Sequence, residues 1–490
     1  MAPPQHRRPP SERTALLSSG DRAGSSEDAP QETPDFLKWR RIVLTLLVVA
    51  YTGYYFGKTN LPLAIPSLED KEGGLKRSDV SIVLTSGYVL YLGGKFLSGF
   101  CVDKFGGKWT LLAGLLGSIG TSLLFPLINH VAWYAGVRAI NQLFSSVGWG
   151  ACVKITRHWY TPTAAAHAVA IASLAETLGD ALVRLVLGGA MIGGLGWKAM
   201  FYLSAGVGAA LFVPSLFVPG MPGDKGLNDP VETDEAAEED MRSRSVFHDV
   251  DDDEDAGLMP MVKSVRIWLL SAELLVVILI RESFATFASS LIASELGLSN
   301  SYASAASAIF PALGAISSVC GGFLLDHTRQ DRRGLIPVVS LGLTTLALVG
   351  MWTVTPDGAG LESVSSAAVA TLRSDPKPTE IALFIGMIGA VALFLYAPKV
   401  IIDGAFVMDL AGGEAKVGTV TAFVTGVGYL GGCISPTVTG VMADIYGWKV
   451  AMLLLTVLCA AVTGASVLYW YLDLKALKAN ANNDGGDDGA

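Results

Sequence analysis

The sequence predicts an all-α integral membrane protein: twelve transmembrane helices in two six-helix pseudo-symmetric bundles. Three observations carry this. Of 490 residues, 51% are hydrophobic and 16% charged, whereas a soluble domain carries about a quarter charged residues. Apolar stretches of about twenty residues or more, long enough to cross roughly 30 Å of hydrocarbon, recur along the chain. The second half also repeats landmarks of the first.

Met1 to Trp39 is rich in Pro, Ser, Arg and Glu with no apolar run, so disorder is expected there and no cleavable secretory signal precedes the first span. Within it Glu12-Arg13-Thr14-Ala15-Leu16-Leu17 resembles an acidic dileucine sorting signal. The N-terminal bundle, 40–218, holds apolar segments near Ile42–Pro66, Val80–Cys101, Trp109–Leu127, Val131–Ile155, Ala164–Gly194 and Trp197–Val218. Residues 219–262 read as an acidic cytoplasmic linker, with fourteen Asp/Glu against three Lys/Arg between Pro219 and Pro260. The formal net charge of −9 therefore describes the linker, leaving +2 for the remainder. The C-terminal bundle, 263–472, holds segments near Val265–Ala293, Tyr302–Leu325, Ile336–Val354, Glu380–Ile402, Val417–Ala443 and Trp448–Leu472, and 473–490 is a polar cytoplasmic tail.

Lys38, Arg40 and Arg41 before the first helix, Lys104 and Lys108 after the second and Arg329, Arg332 and Arg333 after the eighth orient the chain with both termini cytoplasmic. All five cysteines fall in apolar segments, where they read as packing residues, and no cofactor or metal is expected. Long acidic and Pro-rich segments suggest a eukaryotic endomembrane or plasma membrane, without naming one.

Two cations stand out. Lys58 lies 17 residues past Arg41, and Arg281 lies 15 past Arg266. At 1.5 Å per residue both are roughly 22 to 26 Å along their helices, near mid-bilayer or somewhat beyond it. Ionisable residues at that depth are costly and face a bundle interior or a solute path. They are 223 residues apart, as are Asp103 and Asp326 in the echoed motifs Gly99-Phe100-Cys101-Val102-Asp103 and Gly322-Phe323-Leu324-Leu325-Asp326. Gly196-Trp197-Lys198 and Gly447-Trp448-Lys449 repeat at a longer offset, explained by an insertion near 356–379. Such a duplicated unit is the signature of a transporter with its site at the repeat interface. Two cations at matching depth in two matching helices suggest one anion site. Alternatively each cation is neutralised by a buried acid such as Glu176 or Glu282.

G-x-x-x-D-K-x-G-x-K at Gly99, Asp103, Lys104 and Lys108 resembles the cytoplasmic signature of the major facilitator superfamily, and with Asp326 it is expected to act in gating. Tyr54-Tyr55-Phe56-Gly57-Lys58-Thr59-Asn60, Pro66-Ser67-Leu68, Lys95-Phe96, Gly148-Trp149 with Cys152 and Lys154, and Gly428-Tyr429-Leu430-Gly431-Gly432 resemble the organophosphate:phosphate antiporters of that superfamily. The resemblance covers about Trp39–Leu472 apart from the linker and the insertion. It implies the major facilitator fold, with Lys58 and Arg281 holding the phosphoryl group. Tyr396 matches a family tyrosine, and Lys95 a family lysine that faces the cavity or snorkels to the cytoplasmic end. Tyr51 and Tyr55 share the face of Lys58 by helical spacing, although interfacial anchoring is the commoner role of membrane tyrosines.

The chain departs from the family in its fifth helix, where Glu176, Asp180 and Arg184 recur every fourth residue. Asp180 and Arg184 are expected to pair, and so are Lys399 and Asp403, unless either of the latter faces the cavity. Glu176 is a further candidate at the binding site, as a counter-charge or a proton carrier. The expected partners are an organic phosphate (glycerol 3-phosphate or a sugar phosphate), inorganic phosphate and membrane lipid, without nucleic acid, and the chain is expected to be a monomer. Exchange of the two phosphates is the leading expectation. A proton-coupled organic-anion transporter and a non-transporting sensor are the alternatives. No nucleophile, base and orienting group assemble at a recognisable spacing and no phosphate-cradling P-loop is present, so an enzyme is not expected.

Overall fold

The computed structural model describes residues 33–69, 74–160, 162–227, 263–355, 377–407, 410 and 414–484, with the side chains of 162–167, 170, 326, 330, 414–419, 422 and 476–484 excepted. The dileucine-like motif, most of the acidic linker, most of the 356–379 insertion and the Asp326 side chain lie outside the described residues.

The described chain is helical: α1 (Pro34–Glu69), α2 (Arg77–Phe105), α3 (Gly107–Leu124), α4 (Val131–Trp159), α5 (Pro162–Ile192), α6 (Trp197–Ser215), α7 (Val265–Leu296), α8 (Asn300–Ala306), α9 (Ile309–His327), α10 (Leu335–Val354), α11 (Pro378–Ile401), α12 (Glu414–Ser435), α13 (Met442–Tyr446) and α14 (Trp448–Asp484). Among the described residues, seven helical stretches are long and apolar enough by length and composition to cross a membrane, those containing α1, α2, α3, α8 with α9, α10, α11 and α14. The helices bearing Glu176 with Asp180 and Glu273 with Arg281 are not among them. Their ionisable side chains lower mean hydropathy, and they turn those chains inward.

Several boundaries differ from expectation for local reasons. α1 starts at Pro34 instead of near residue 40. Proline is pre-organised for a first turn, Asp35 complements the helix N-terminus, and the Phe36 ring packs on Trp159 at 5.7 Å. The expected linker is folded as far as Leu227. Asp224 accepts from the Gly220 amide at 2.8 Å, and Lys225 covers the Trp39 ring at 4.3 Å. The eighth segment is two helices, the first opened by Ser299 accepting from the Tyr302 amide. π-helical turns at Ile402–Phe406 and Pro436–Val441 follow Pro398 and begin at Pro436, where the missing amide breaks the i→i−4 ladder. α14 continues to Asp484, into the expected tail.

The tightest packing joins α2 with α4, α3 with α4 and α1 with α5 and α6 in the first part of the chain. In the second part it joins α9 with α11, α7 with α12 and α10 with α14. Polar contacts between the two parts gather at mid-depth and toward the face that carries the α1–α2 connection. There Ser290 donates to Glu69 at 2.7 Å, Ser304 to the Leu63 carbonyl at 3.1 Å, and Arg77 to the Ala443 carbonyl at 3.4 Å. Thr85 and Thr437 share a hydrogen bond of 2.9 Å.

Candidate functional site

α1 brings Tyr51, Tyr55 and Lys58 onto one face because they are spaced by one and two turns. Pro62 sets the backbone at Lys58. Having no amide hydrogen, it leaves the Lys58 carbonyl without its i+4 donor, and Nη1 of the buried Arg138 on α4 fills that place at 3.1 Å. Behind this face, Asn60 donates to Ser122 at 3.2 Å and Thr59 to Asp180 at 2.6 Å, which holds α1 against α3 and α5.

The half-buried Lys58 ammonium lies 4.9 Å from the centre of the Tyr55 ring and 4.8 Å from that of Tyr91 on α2. Lys95, one turn beyond Tyr91, lies 5.2 Å from the same ring and 5.6 Å from Tyr429 on α12. It therefore points to mid-depth between the two parts of the chain, not toward the end of α2. Among the described residues neither lysine has a carboxylate within 4.0 Å. Their positive charge is met by aromatic faces, which attract cations through the ring quadrupole.

The cations of the second part are held by acids instead. On α7, Arg281 donates from Nη2 to Glu176 of α5, from Nη1 to Glu282 at 2.7 Å and from Nε to the Tyr396 hydroxyl of α11 at 3.3 Å. Glu282 also accepts from Tyr88 of α2. Lys399 on α11 lies 3.8 Å from Glu176 and 3.7 Å from Asp403, and Asp403 accepts from Thr425 at 3.1 Å. For Arg281 the alternative of neutralisation by Glu176 and Glu282 is thus present as direct ion pairs, whereas Lys58 has no direct carboxylate partner among the described residues. Glu176 lies within electrostatic range of Lys399, Arg281, Lys58 and Lys95 together. Tyr51 and Tyr55 are within range of Glu176 and Arg281, and Tyr51 packs on Trp149 at 5.3 Å. The expected set of Lys58, Arg281, Tyr51, Tyr55, Lys95, Glu176 and Tyr396 is therefore one assembly, built on α1, α2, α5, α7 and α11.

Glu282, the alternative counter-charge, and Lys399, which could face the cavity, belong to it as well, and so do Tyr88, Tyr91 and Tyr429, which were not expected there as ligating groups. Tyr88, Tyr91 and Lys95 follow the three- and four-residue spacing that marks the face of α1. That pattern was open to reading.

The expected gating residues lie apart, at the other end of α2. Asp103 pairs with Lys154 of α4 at 2.7 Å, Lys104 covers the Phe100 and Phe105 rings, and Lys108 lies 5.9 Å from the Trp109 ring. Gly99 does not serve a close approach, since a Cβ there would meet nothing within 4 Å. Gly106 is the glycine the motif requires, because its φ of +81° turns the chain from α2 into α3.

Asp180 and Arg184 pair at 3.1 Å as expected. Arg184 also donates to Ser307 at 2.9 Å and to the Ala285 carbonyl at 2.5 Å, so the pair joins α5 to α7 and to the turn before α9.

A charged assembly at mid-depth, between two sets of membrane helices, defines a secondary-active transporter of small polar or charged solutes and not an enzyme. The Major Facilitator Superfamily model matches residues 47–398. The chain belongs to that superfamily, and within it to the organophosphate:phosphate antiporter family. A probable hexose phosphate transport protein of Chlamydia pneumoniae is 23% identical over 444 residues, covering 86% of this chain and 89% of that protein. A glycerol-3-phosphate transporter of Haemophilus influenzae is 25% identical over 445 residues, covering 84% and 87%. The membrane sensor protein UhpC of Escherichia coli is 24% identical over 323 residues, covering 64% and 71%. Among solved structures, a bacterial homologue of the human lysosomal transporter Spinster, inward-facing, shares the fold with a TM-score of 0.64 at 14% identity, covering 91% of this chain and 99% of that one.

Proposed function

We propose that this protein exchanges an organic phosphate, glycerol 3-phosphate or a sugar phosphate, for inorganic phosphate by alternating access. Twelve spans in two six-helix bundles, with both termini cytoplasmic, carry out the exchange in a eukaryotic endomembrane or plasma membrane. The observation that carries this reading is the convergence of Lys58, Lys95, Arg281 and Lys399 around Glu176 at mid-depth. Three acids, Glu176, Glu282 and Asp403, face these four cations.

The surplus positive charge and the donor chemistry suit a tetrahedral dianion. Arg281 supplies a planar fork, Lys58 and Lys95 supply point charges, and the hydroxyls of Tyr55, Tyr91 and Tyr396 add neutral donors. The contacts gathered on the face of the α1–α2 connection fit a carrier closed on the outside, with its site reached from the cytoplasm. Opening the other way requires Asp103, the Lys104–Lys108 segment and Asp326 to come together at the cytoplasmic ends of α2 and α9. The relatives named as hexose phosphate and glycerol-3-phosphate transporters support this reading.

Counterflow in proteoliposomes tests it. Uptake of labelled phosphate is expected to require phosphate or a phosphate ester inside and to be indifferent to an imposed pH gradient. A sensor relative supports a second reading, binding without flux. Specific phosphate binding with no counterflow would favour that reading.

A further inference from the structure

Each nitrogen of Arg281 already donates to one acceptor: Nε to Tyr396, Nη1 to Glu282 and Nη2 to Glu176. An oxyanion that takes the seat between this guanidinium and Lys399 must displace the acceptor lying there, and the three are not equally held. Tyr396 is buried, its ring packed on Phe310 at 5.7 Å. Glu282 follows Arg281 in the chain and also accepts from Tyr88. Glu176 differs. One of its oxygens accepts from Arg281 and the other lies 3.8 Å from Lys399, both on the second part of the chain. Among the described residues, nothing on its own part of the chain donates to it.

From this asymmetry, which rests on the proposed phosphate site, we infer that Glu176 is a tethered competitor for the anion seat. A transported phosphate takes its place between Arg281 and Lys399, and so removes the Glu176 tie from α5 to α7 and α11, leaving Arg184 bonded to Ala285 and Ser307. The exchange sets specificity by charge. A phosphate monoester brings roughly 1.5 to 2 negative charges and three acceptor oxygens against the single charge and two oxygens of the glutamate it replaces. A monocarboxylate offers no more than Glu176 already supplies, and Glu176 is held at the site by its own backbone. The seat therefore accepts phosphates and refuses simple carboxylates. Release of Glu176 is the step by which substrate binding reaches the helices that must move, since Glu176 spans the two parts directly.

Binding of labelled inorganic phosphate to the purified full-length protein, with acetate as competitor, tests this. For Glu176→Gln the Kd for phosphate is expected to fall at least tenfold relative to the unsubstituted protein. Acetate, inert against the unsubstituted protein, is expected to compete. The charge-restoring pair Glu176→Gln with Lys399→Gln is expected to return the Kd to within threefold of the starting value. Unchanged or weaker phosphate binding by Glu176→Gln overturns the inference. Should that variant not fold, the pair decides: loss of a cation without relief from a competitor would weaken binding at least tenfold. If the unsubstituted protein and Glu176→Gln both fail to bind phosphate, the inference and the phosphate site fall together. If the unsubstituted protein binds phosphate and Glu176→Gln binds it no tighter, the inference alone falls.

Discussion

Lys58 illustrates how one backbone irregularity places a cation of the candidate site. Pro62 removes an amide, the Lys58 carbonyl is left without its helical donor, and Arg138 supplies the missing hydrogen bond from another helix. A buried group deprived of its partner costs about 1 to 3 kcal/mol, so Arg138→Met is expected to destabilise the protein by that order. Pro62→Ala restores the amide and makes the arginine contact partly redundant. A double-mutant cycle on thermal stability should therefore show coupling of about 1 kcal/mol between residues 138 and 62. Additive effects would mean that Arg138 is held by something other than the Lys58 carbonyl. The sequence reveals Lys58 itself, because a cation in an apolar segment has few places to go. It does not reveal Arg138 as the residue that fixes it, since a carbonyl freed by proline can be satisfied from any neighbouring helix or by water.

At the scale of elements, the periodicity of α1 was enough to gather Tyr51, Tyr55 and Lys58, and the same rule read on α2 gathers Tyr88, Tyr91 and Lys95. The opposing helices are harder to place. Tyr429 reaches Lys95 because α12 lies close to α7, and the reason is Gly431. A Cβ at that position would fall 2.0 Å from the Leu275 carbonyl oxygen. The obstacle is backbone and cannot rotate away, so α12 would have to move off α7 and carry Tyr429 with it. Overpacking of this kind costs about 1 to 3 kcal/mol. Gly431→Ala is expected to lower the melting temperature and weaken phosphate binding together, whereas a wild-type melting curve and affinity would show that the contact is not tight. The split of the eighth segment into α8 and α9 and the two π-helical turns lie inside apolar runs whose pattern continues across the break. Hydropathy alone could not mark them.

For the molecule as a whole, the offset of 223 residues between Lys58 and Arg281 points to two equivalent helices from the sequence alone. The structure gives those positions unlike surroundings. Lys58 sits among aromatic rings, while Arg281 is bound by two carboxylates, one of them from the other part of the chain. Sequence repetition carries over the position of a side chain and not its partners, which is why the placing of Glu176 between Arg281 and Lys399 is visible only in the three-dimensional arrangement. In the proposed exchange this asymmetry divides the work: the first part presents lysines met by aromatic rings, and the second presents a fork held by carboxylates. Exchange of labelled phosphate in proteoliposomes by Arg281→Ala, against the unsubstituted protein at equal reconstitution, tests this account most directly. Loss of exchange by at least a hundredfold per folded molecule is the predicted result, and exchange at the unsubstituted rate would contradict it.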